Sequence, residues 1–186
     1  MYGFPLLMAS ADGHSNKMVI VTQVRALPPR SHYLTSIILS CDWRMSGLMN
    51  ILLVEDDHEH LKLTTYLLKK NKVPGEIHVV RDGQEAIDYL FRRNKFADAS
   101  QSPRPSLVLL DLNIPRINGR DVLKIIKAEA SLRDIPVVIV SSSNHQEDIA
   151  FAHSIGATAY ISKSLGFEKL SEALSTVHQL AQVEVP

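Results

Sequence analysis

Leu107-Val108-Leu109-Leu110-Asp111-Leu112-Asn113-Ile114-Pro115 is the stretch on which the fold turns. Four apolar residues in a row, bounded by Pro105 and Pro115, predict a short central strand buried on both faces. Asp111 stands at its C-terminal tip, where open α/β sheets place their ligands. A second apolar run, Ile51-Leu52-Leu53-Val54, ends in the cluster Glu55-Asp56-Asp57. Two strands that end in carboxylates predict one shared acidic site.

Outward from these runs the chain alternates strand-like and helix-like segments. Residues 50–54 predict the first strand of the folded region, and Asp57 to about Asn71 a helix with Leu61, Thr65 and Leu68 at helical spacing, stopped by Pro74-Gly75. Ile77 to Val80 reads as a strand, followed by a helix carrying Ala86, Ile87, Leu90 and Phe91. Past a polar loop at 94–105 and the Asp111 strand, Asn118-Gly119 opens a helix with Val122, Leu123 and Ile126 on one face. Pro136 to Val140 is an apolar, β-branched strand. Asn144 with Glu147 predicts an N-cap for a helix ending at Gly156. Thr158 to Ser162 is a last strand, and Phe167, Leu170, Leu174, Val177 and Leu180 stripe a final helix. Five strands, each followed by a helix, predict a five-stranded parallel sheet covered on both faces, a three-layer α/β/α domain.

The 186 residues suit one domain over 49–186 with an extension. Residues 1–48 lack sustained periodicity and carry Pro28-Pro29, the sole cysteine, Cys41, and the sole tryptophan, Trp43. We expect them to be a disordered extension, or the product of a start assigned too far upstream of Met49. The overall charge of zero points to neither nucleic acid nor an anionic membrane. One cysteine excludes a disulfide framework and a thiolate metal site. No apolar run approaches the roughly 20 residues of a membrane span, and no charged leader precedes an apolar core. A cytoplasmic protein is the expectation.

Polar residues recur where the predicted strands end: Glu55 and Asp56, then Asp111, Ser141 and Lys163. In a parallel sheet those ends share an edge, so the residues converge. Clustered carboxylates resist ionising together unless a cation compensates. Mg²⁺ fits, because it takes one or two carboxylates and keeps water and phosphate oxygens as its other ligands. Ser141 offers a hydroxyl and Lys163 a positive charge to a phosphoryl group.

The sequence resembles the receiver domains of two-component response regulators. The resemblance rests on Leu53 to Asp57, Leu109 to Gly119, Pro136 to Ser142, and Gly156 to Lys163, in the family's order and spacing, and covers residues 50 to about 182. It implies a flavodoxin-like, doubly wound (βα)₅ fold. It also implies that Asp111 accepts a phosphoryl group from the phosphohistidine of a sensor histidine kinase or a phosphotransfer protein. By the same resemblance Asp56, Asp111 and the backbone carbonyl of Asn113 ligate Mg²⁺, and Glu55 acts through water. Lys163 pairs with the carboxylate, Ser141 and Tyr160 are the switch pair, and Asn113 and Ser143 lie where the family tunes phosphate lifetime. The loop at 96–105 and the segment 131–136 resemble stand-alone regulators that partner bacterial phytochromes. Output is then expected through protein contacts, among them homodimerisation through residues 145–182, with no effector domain attached.

One departure stands out. The family usually has Lys-Pro with a cis bond where this chain has Lys163-Ser164. Without proline, cis costs about 2.5–4 kcal/mol, so either the bond is trans and the loop shifts, or the surroundings hold it cis. Two other classes of function stand beside the receiver. A Mg²⁺-dependent aspartyl-phosphate phosphohydrolase often carries an acid two residues after its nucleophile, where this chain has Asn113. A degenerate receiver used only for binding would have lost site chemistry that these five positions keep. Asp57 is expected to cap the first helix. Ser142 and Ser143 are read as loop residues, without a histidine at activating spacing. His58 and His60, two apart on that helix, are expected to be solvated rather than a ligand pair.

Overall fold

Each apolar run becomes a strand and each periodic segment a helix, because only those periods bury the apolar side chains. The computed structural model describes residues 7–10, 19–20 and 49–177. Its strands are β1 (Leu7–Ser10), β2 (Val19–Ile20), β3 (Asn50–Val54), β4 (Glu76–Val80), β5 (Leu107–Leu110), β6 (Val137–Ser141) and β7 (Ala159–Ser162). Its helices are α1 (His58–Lys70), α2 (Gly83–Leu90), α3 (Gly119–Ala128), α4 (Gln146–Ile155) and α5 (Phe167–Ser175). None of the described helices is long and apolar enough to cross a membrane.

The strands form one sheet in the order β2-β1-β7-β6-β5-β3-β4, in which β3 to β7 are the expected five parallel strands. Two stretches of the N-terminal 48 residues extend it. β1 pairs parallel with β7, through Leu7 opposite Ala159, and β2 pairs antiparallel with β1. The outer edge of β7 otherwise presents unpaired backbone groups, which a passing strand satisfies. The rest of the expectation for residues 1–48 lies outside the described residues, as does Leu180 of the apolar stripe.

Strand residues alternate between two cores. Leu52, Val54, Val108, Leu110, Val137, Ile139 and Tyr160 face α2, α3 and α4. Ile51, Leu53, Leu107, Leu109, Val138, Val140 and Ile161 face the other way, onto Leu67 and Leu68 of α1 and Leu170 and Leu174 of α5. Burial on both faces explains why these strands are apolar without alternation. Sheet order reverses between β3 and β5, and ligands in such folds bind at the carboxyl ends of the strands beside that reversal.

Side chains fix where the helices begin. Asp57 accepts from Glu59 N at 2.9 Å and His60 N at 2.8 Å, Asp82 from Glu85 N at 2.8 Å, and Asn118 from Asp121 N at 2.9 Å. Asp57 is thus the expected cap. At α3 the approach to the sheet is tight: Gly119 N donates to Leu112 O at 3.0 Å. A Cβ on Gly119 would stand 2.1 Å from Asp111 O and 2.7 Å from Leu112 Cα. Both are backbone atoms at the strand tip that carries Asp111, so a side chain cannot be absorbed by a rotamer change. Gly119→Ala should therefore cost about 1–3 kcal/mol, read by urea unfolding of the variant against the parent. A variant as stable as the parent would contradict this packing.

Candidate functional site

The register of the sheet brings the two acidic tips together. Val54 lies opposite Leu110, so Glu55 and Asp111 are the next residues on neighbouring strands. Their backbones are held there: Asp111 N donates to Val54 O, and Glu55 N to Val80 O, each at 3.1 Å. Both side chains point inward, with Glu55 1% and Asp111 5% exposed. Lys163 follows β7 and reaches across the strand ends. Its Nζ donates to Glu55 Oε2 at 2.5 Å and to Asp111 Oδ2 at 2.6 Å. Asp111 Oδ1 accepts from Asn113 N at 3.1 Å, in the loop that follows β5.

One ammonium faces two buried carboxylates, so negative charge is left over. Glu55 Oε1 shows where. It is fully buried and has no hydrogen-bond partner. Desolvation by burial raises the Glu55 pKa above its ordinary value of 4.5, against the pull of the Lys163 hydrogen bond and charge. An orphaned buried carboxylate oxygen is expensive, and a cation is the partner its chemistry calls for.

His60, expected to be solvated, comes to this site instead. Its Nδ1 lies 3.6 Å from Glu55 Oε1, 3.7 Å from Asp57 Oδ1 and 3.4 Å from Lys163 Nζ. Among the described residues, Glu55, His60 and Asp111 each present a ligand atom within 4.8 Å of the others and form a group that could hold a metal ion. His60 sits in the first turn of α1, which starts directly above the Glu55 strand tip, so a side chain there reaches back over the sheet edge. His58 is exposed, as expected. Asp56 is exposed and stands outside the three-residue cluster.

The remaining predicted residues line the neighbouring strand ends. Ser141 is fully buried at the tip of β6, and its Oγ accepts from Ser143 N at 3.3 Å. Tyr160 is 2% exposed, and its hydroxyl donates to Ser143 O at 2.9 Å. Burial pushes the Tyr160 phenol up from its ordinary value, against hydrogen bonds to Ser141 and Ser143. Ser143 also donates from its hydroxyl to Asp148, which pairs with Arg120 of α3. Sequence reasoning read Ser143 as a loop residue at a position where the family tunes phosphate lifetime, and missed Asp148 and Arg120 altogether. Nothing local marks them, since their contact joins α3 to α4.

The loop after Lys163 settles the question that the missing proline raised. No described peptide bond is cis, so Lys163–Ser164 is trans. The chain makes a 3-10 turn over Lys163–Leu165 and leaves it at Gly166 with φ 82°. Asn144, expected to cap α4, is used here: its Nδ2 donates to Ser164 Oγ at 2.6 Å and its Oδ1 accepts from Ser162. α4 starts instead after His145, which makes no side-chain capping bond. A tertiary partner within reach won over a local one.

Comparison with known proteins gives this arrangement a family. The response regulator receiver domain model matches residues 51–175. Response regulator Rcp1 of Synechocystis sp. is 36% identical over 120 residues, 64% of this chain and 80% of its own length. Among solved structures, the phosphorylated cyanobacterial phytochrome response regulator RcpA is similar with a TM-score of 0.66 and 35% identity, covering 75% of this chain and 98% of that one. The Mn²⁺-bound form of Rcp1 has a TM-score of 0.65 at 33% identity, covering 74% and 99%.

Lys163 gives the site a testable electrostatic signature. Lys163→Met removes the largest influence that pulls the Glu55 pKa down, leaving burial and the Asp111 charge, which raise it, against His60 alone. A carboxyl whose pKa is higher folded than unfolded contributes stability below the unfolded value, and that stability is lost as pH rises through the folded one. In metal-free buffer the variant should therefore lose stability relative to the parent as pH climbs from 4.5, reaching a deficit of about 3 kcal/mol near neutrality. Urea midpoints across that range measure it; a deficit independent of pH would contradict the assignment.

Proposed function

The chain belongs to the response regulator receiver domain family, and from that membership we propose that it is a phosphoryl-accepting switch of a two-component relay with Asp111 as the acceptor. Receiver response regulators are signalling proteins. The observation that carries the proposal is the Lys163 ammonium held at 2.5 Å from Glu55 and 2.6 Å from Asp111. A buried carboxylate alone is a poor nucleophile toward an anionic phosphoryl group, because the two repel. A fixed ammonium beside it offsets that repulsion where the charge gathers.

In the transfer the N–P bond of a donor phosphohistidine breaks, a bond forms between an Asp111 carboxylate oxygen and phosphorus, and the donor imidazole keeps the electron pair. Little covalent chemistry is asked of the protein; alignment and neutralised charge suffice. Asn113 N–H orients the Asp111 carboxylate through Oδ1. Lys163, already on Oδ2, is within reach of the incoming phosphoryl oxygens. Ser141 supplies a hydroxyl donor from the adjacent strand tip, and its departure from Ser143 N loosens the loop that Tyr160 holds by the Ser143 carbonyl.

The orphaned Glu55 Oε1 and the excess of carboxylates over ammonium fit a divalent cation. We propose Mg²⁺, held by Asp56, Asp111 and the Asn113 carbonyl, with Glu55 acting through water. Bound there, the ion supplies charge neutralisation to the phosphoryl oxygens. Support for a divalent ion also comes from the Mn²⁺-bound form of the relative Rcp1.

The proposed donor is a sensor histidine kinase. A phytochrome-type kinase is favoured by the similarity to RcpA, a phytochrome response regulator. Output goes through protein contacts on the surface of α4, β7 and α5, and the proposed compartment is the cytoplasm. Incubation with a radiolabelled small phosphodonor and Mg²⁺ should label the protein with a base-labile, hydroxylamine-sensitive phosphate. Asp111→Asn should lower labelling at least about 100-fold, since the nucleophile itself is gone. Labelling that survives the substitution overturns Asp111 as acceptor.

A further inference from the structure

Resting on the reading of the acidic cluster as a divalent-cation site, we propose that His60 adds a nitrogen ligand through Nδ1, so that the site favours first-row transition ions such as Mn²⁺ and Co²⁺ over Mg²⁺. Two independent observations converge on the same point. Glu55 Oε1 is buried and unpartnered, and the atom it faces, at 3.6 Å, is His60 Nδ1. Bonds of about 2.1 Å from a small divalent ion hold two ligand atoms no more than about 4.2 Å apart, so that pair can share one ion, Glu55 then ligating directly in place of the water-mediated contact proposed for Mg²⁺.

The hydrogen-bond geometry leaves the same opening. Lys163 Nζ lies 3.4 Å from His60 Nδ1 and already donates to Glu55 Oε2 and Asp111 Oδ2. If Nδ1 presents its lone pair to that ammonium, the lone pair also faces Glu55 Oε1 and Asp57 Oδ1 with no proton between them. If Nδ1 carries the proton, its N–H has the ammonium at 3.4 Å and its carboxylate acceptors, Glu55 Oε1 and Asp57 Oδ1, only at 3.6 and 3.7 Å, beyond hydrogen-bond distance. A cation set between Nδ1 and Oε1, with an Asp111 carboxylate oxygen within 4.8 Å of both, leaves neither mismatch. Asp57 Oδ1 is already engaged by the N–H groups of Glu59 and His60, so it anchors the turn that presents His60 rather than competing for it.

Imidazole changes what such a site selects. Carboxylate, carbonyl and water suit Mg²⁺, whereas a nitrogen donor raises affinity along the series from Mn²⁺ toward Co²⁺ and beyond. His60 is half-exposed in a helix first turn, so its replacement leaves the cores intact.

The test uses the full chain and the bare ions. Titration calorimetry with MgCl₂ and CoCl₂ gives the ratio of their dissociation constants, and electron spin-echo envelope modulation of the Mn²⁺-loaded protein reports a coordinated imidazole nitrogen. The expected result is imidazole nitrogen modulation in the parent that disappears in His60→Ala and His60→Gln. The preference for Co²⁺ over Mg²⁺ should fall at least about tenfold in both variants, with unchanged circular dichroism. Absence of the nitrogen modulation in the parent, or a preference unchanged in both variants, overturns the role of His60. If Asp111→Asn still weakens both ions in that case, the cation-site reading stands alone; if the parent binds neither ion, both fail.

Discussion

Lys163 Nζ lies 2.5 Å from Glu55 Oε2 and 2.6 Å from Asp111 Oδ2, a single positive charge shared by two buried carboxylates. At these separations and an effective dielectric of about 20, each such pair gains about 6 kcal/mol of Coulomb energy. Desolvating the charges costs several kcal/mol each. The triad is therefore close to balance as a contributor to stability, and its value lies in the chemistry it prepares. The fold serves that preparation. Three residues from the tips of β3, β5 and β7 meet because parallel strands put all their carboxyl ends on one edge, and because the order reverses between β3 and β5.

Around the triad, loops rather than strands carry the adjustable parts. Ser141 and Tyr160 both bind the backbone of Ser143, whose hydroxyl is held by Asp148 and, through it, by Arg120 on the neighbouring helix. Arg120 also lies over the ring of Phe151, 4.8 Å from its centroid. A hydrogen bond lost by Ser141 near Asp111 thus reaches α3 and α4 through named contacts. On the other side, Asn144 ties the same loop to Ser162 and Ser164, so the trans Lys163–Ser164 peptide is held by side chains where a proline is absent.

The five parallel strands were legible in the sequence because burial on both faces leaves unbroken apolar runs, and no amphipathic helix produces Leu107 to Leu110 followed by a carboxylate. Glu55, Asp111 and Lys163 were legible for a related reason: Glu55 and Asp111 follow such runs directly and Lys163 follows the last strand, so topology alone brings them together. His60 was not. Spacing on a helix tells which face a residue shares, but not that the first turn of α1 begins over the site, where a side chain can reach back to Glu55. Asn144 misled because a capping pattern is local, while its partners Ser162 and Ser164 lie 18 and 20 residues away. β1 and β2 left no periodic signal at all; four residues and two residues are too short to show one.

The central claim is that Asp111, primed by Lys163, is where a phosphoryl group is received. Its most direct test is a crystal structure of the protein treated with Mg²⁺ and beryllofluoride, a stable mimic of an acyl phosphate. Beryllium should be bonded to an Asp111 carboxylate oxygen, with Lys163 Nζ and Ser141 Oγ in contact with its fluorines. Beryllofluoride bound elsewhere, or an Asp111 carboxylate still paired to Lys163 and unmodified at saturating reagent, would contradict it.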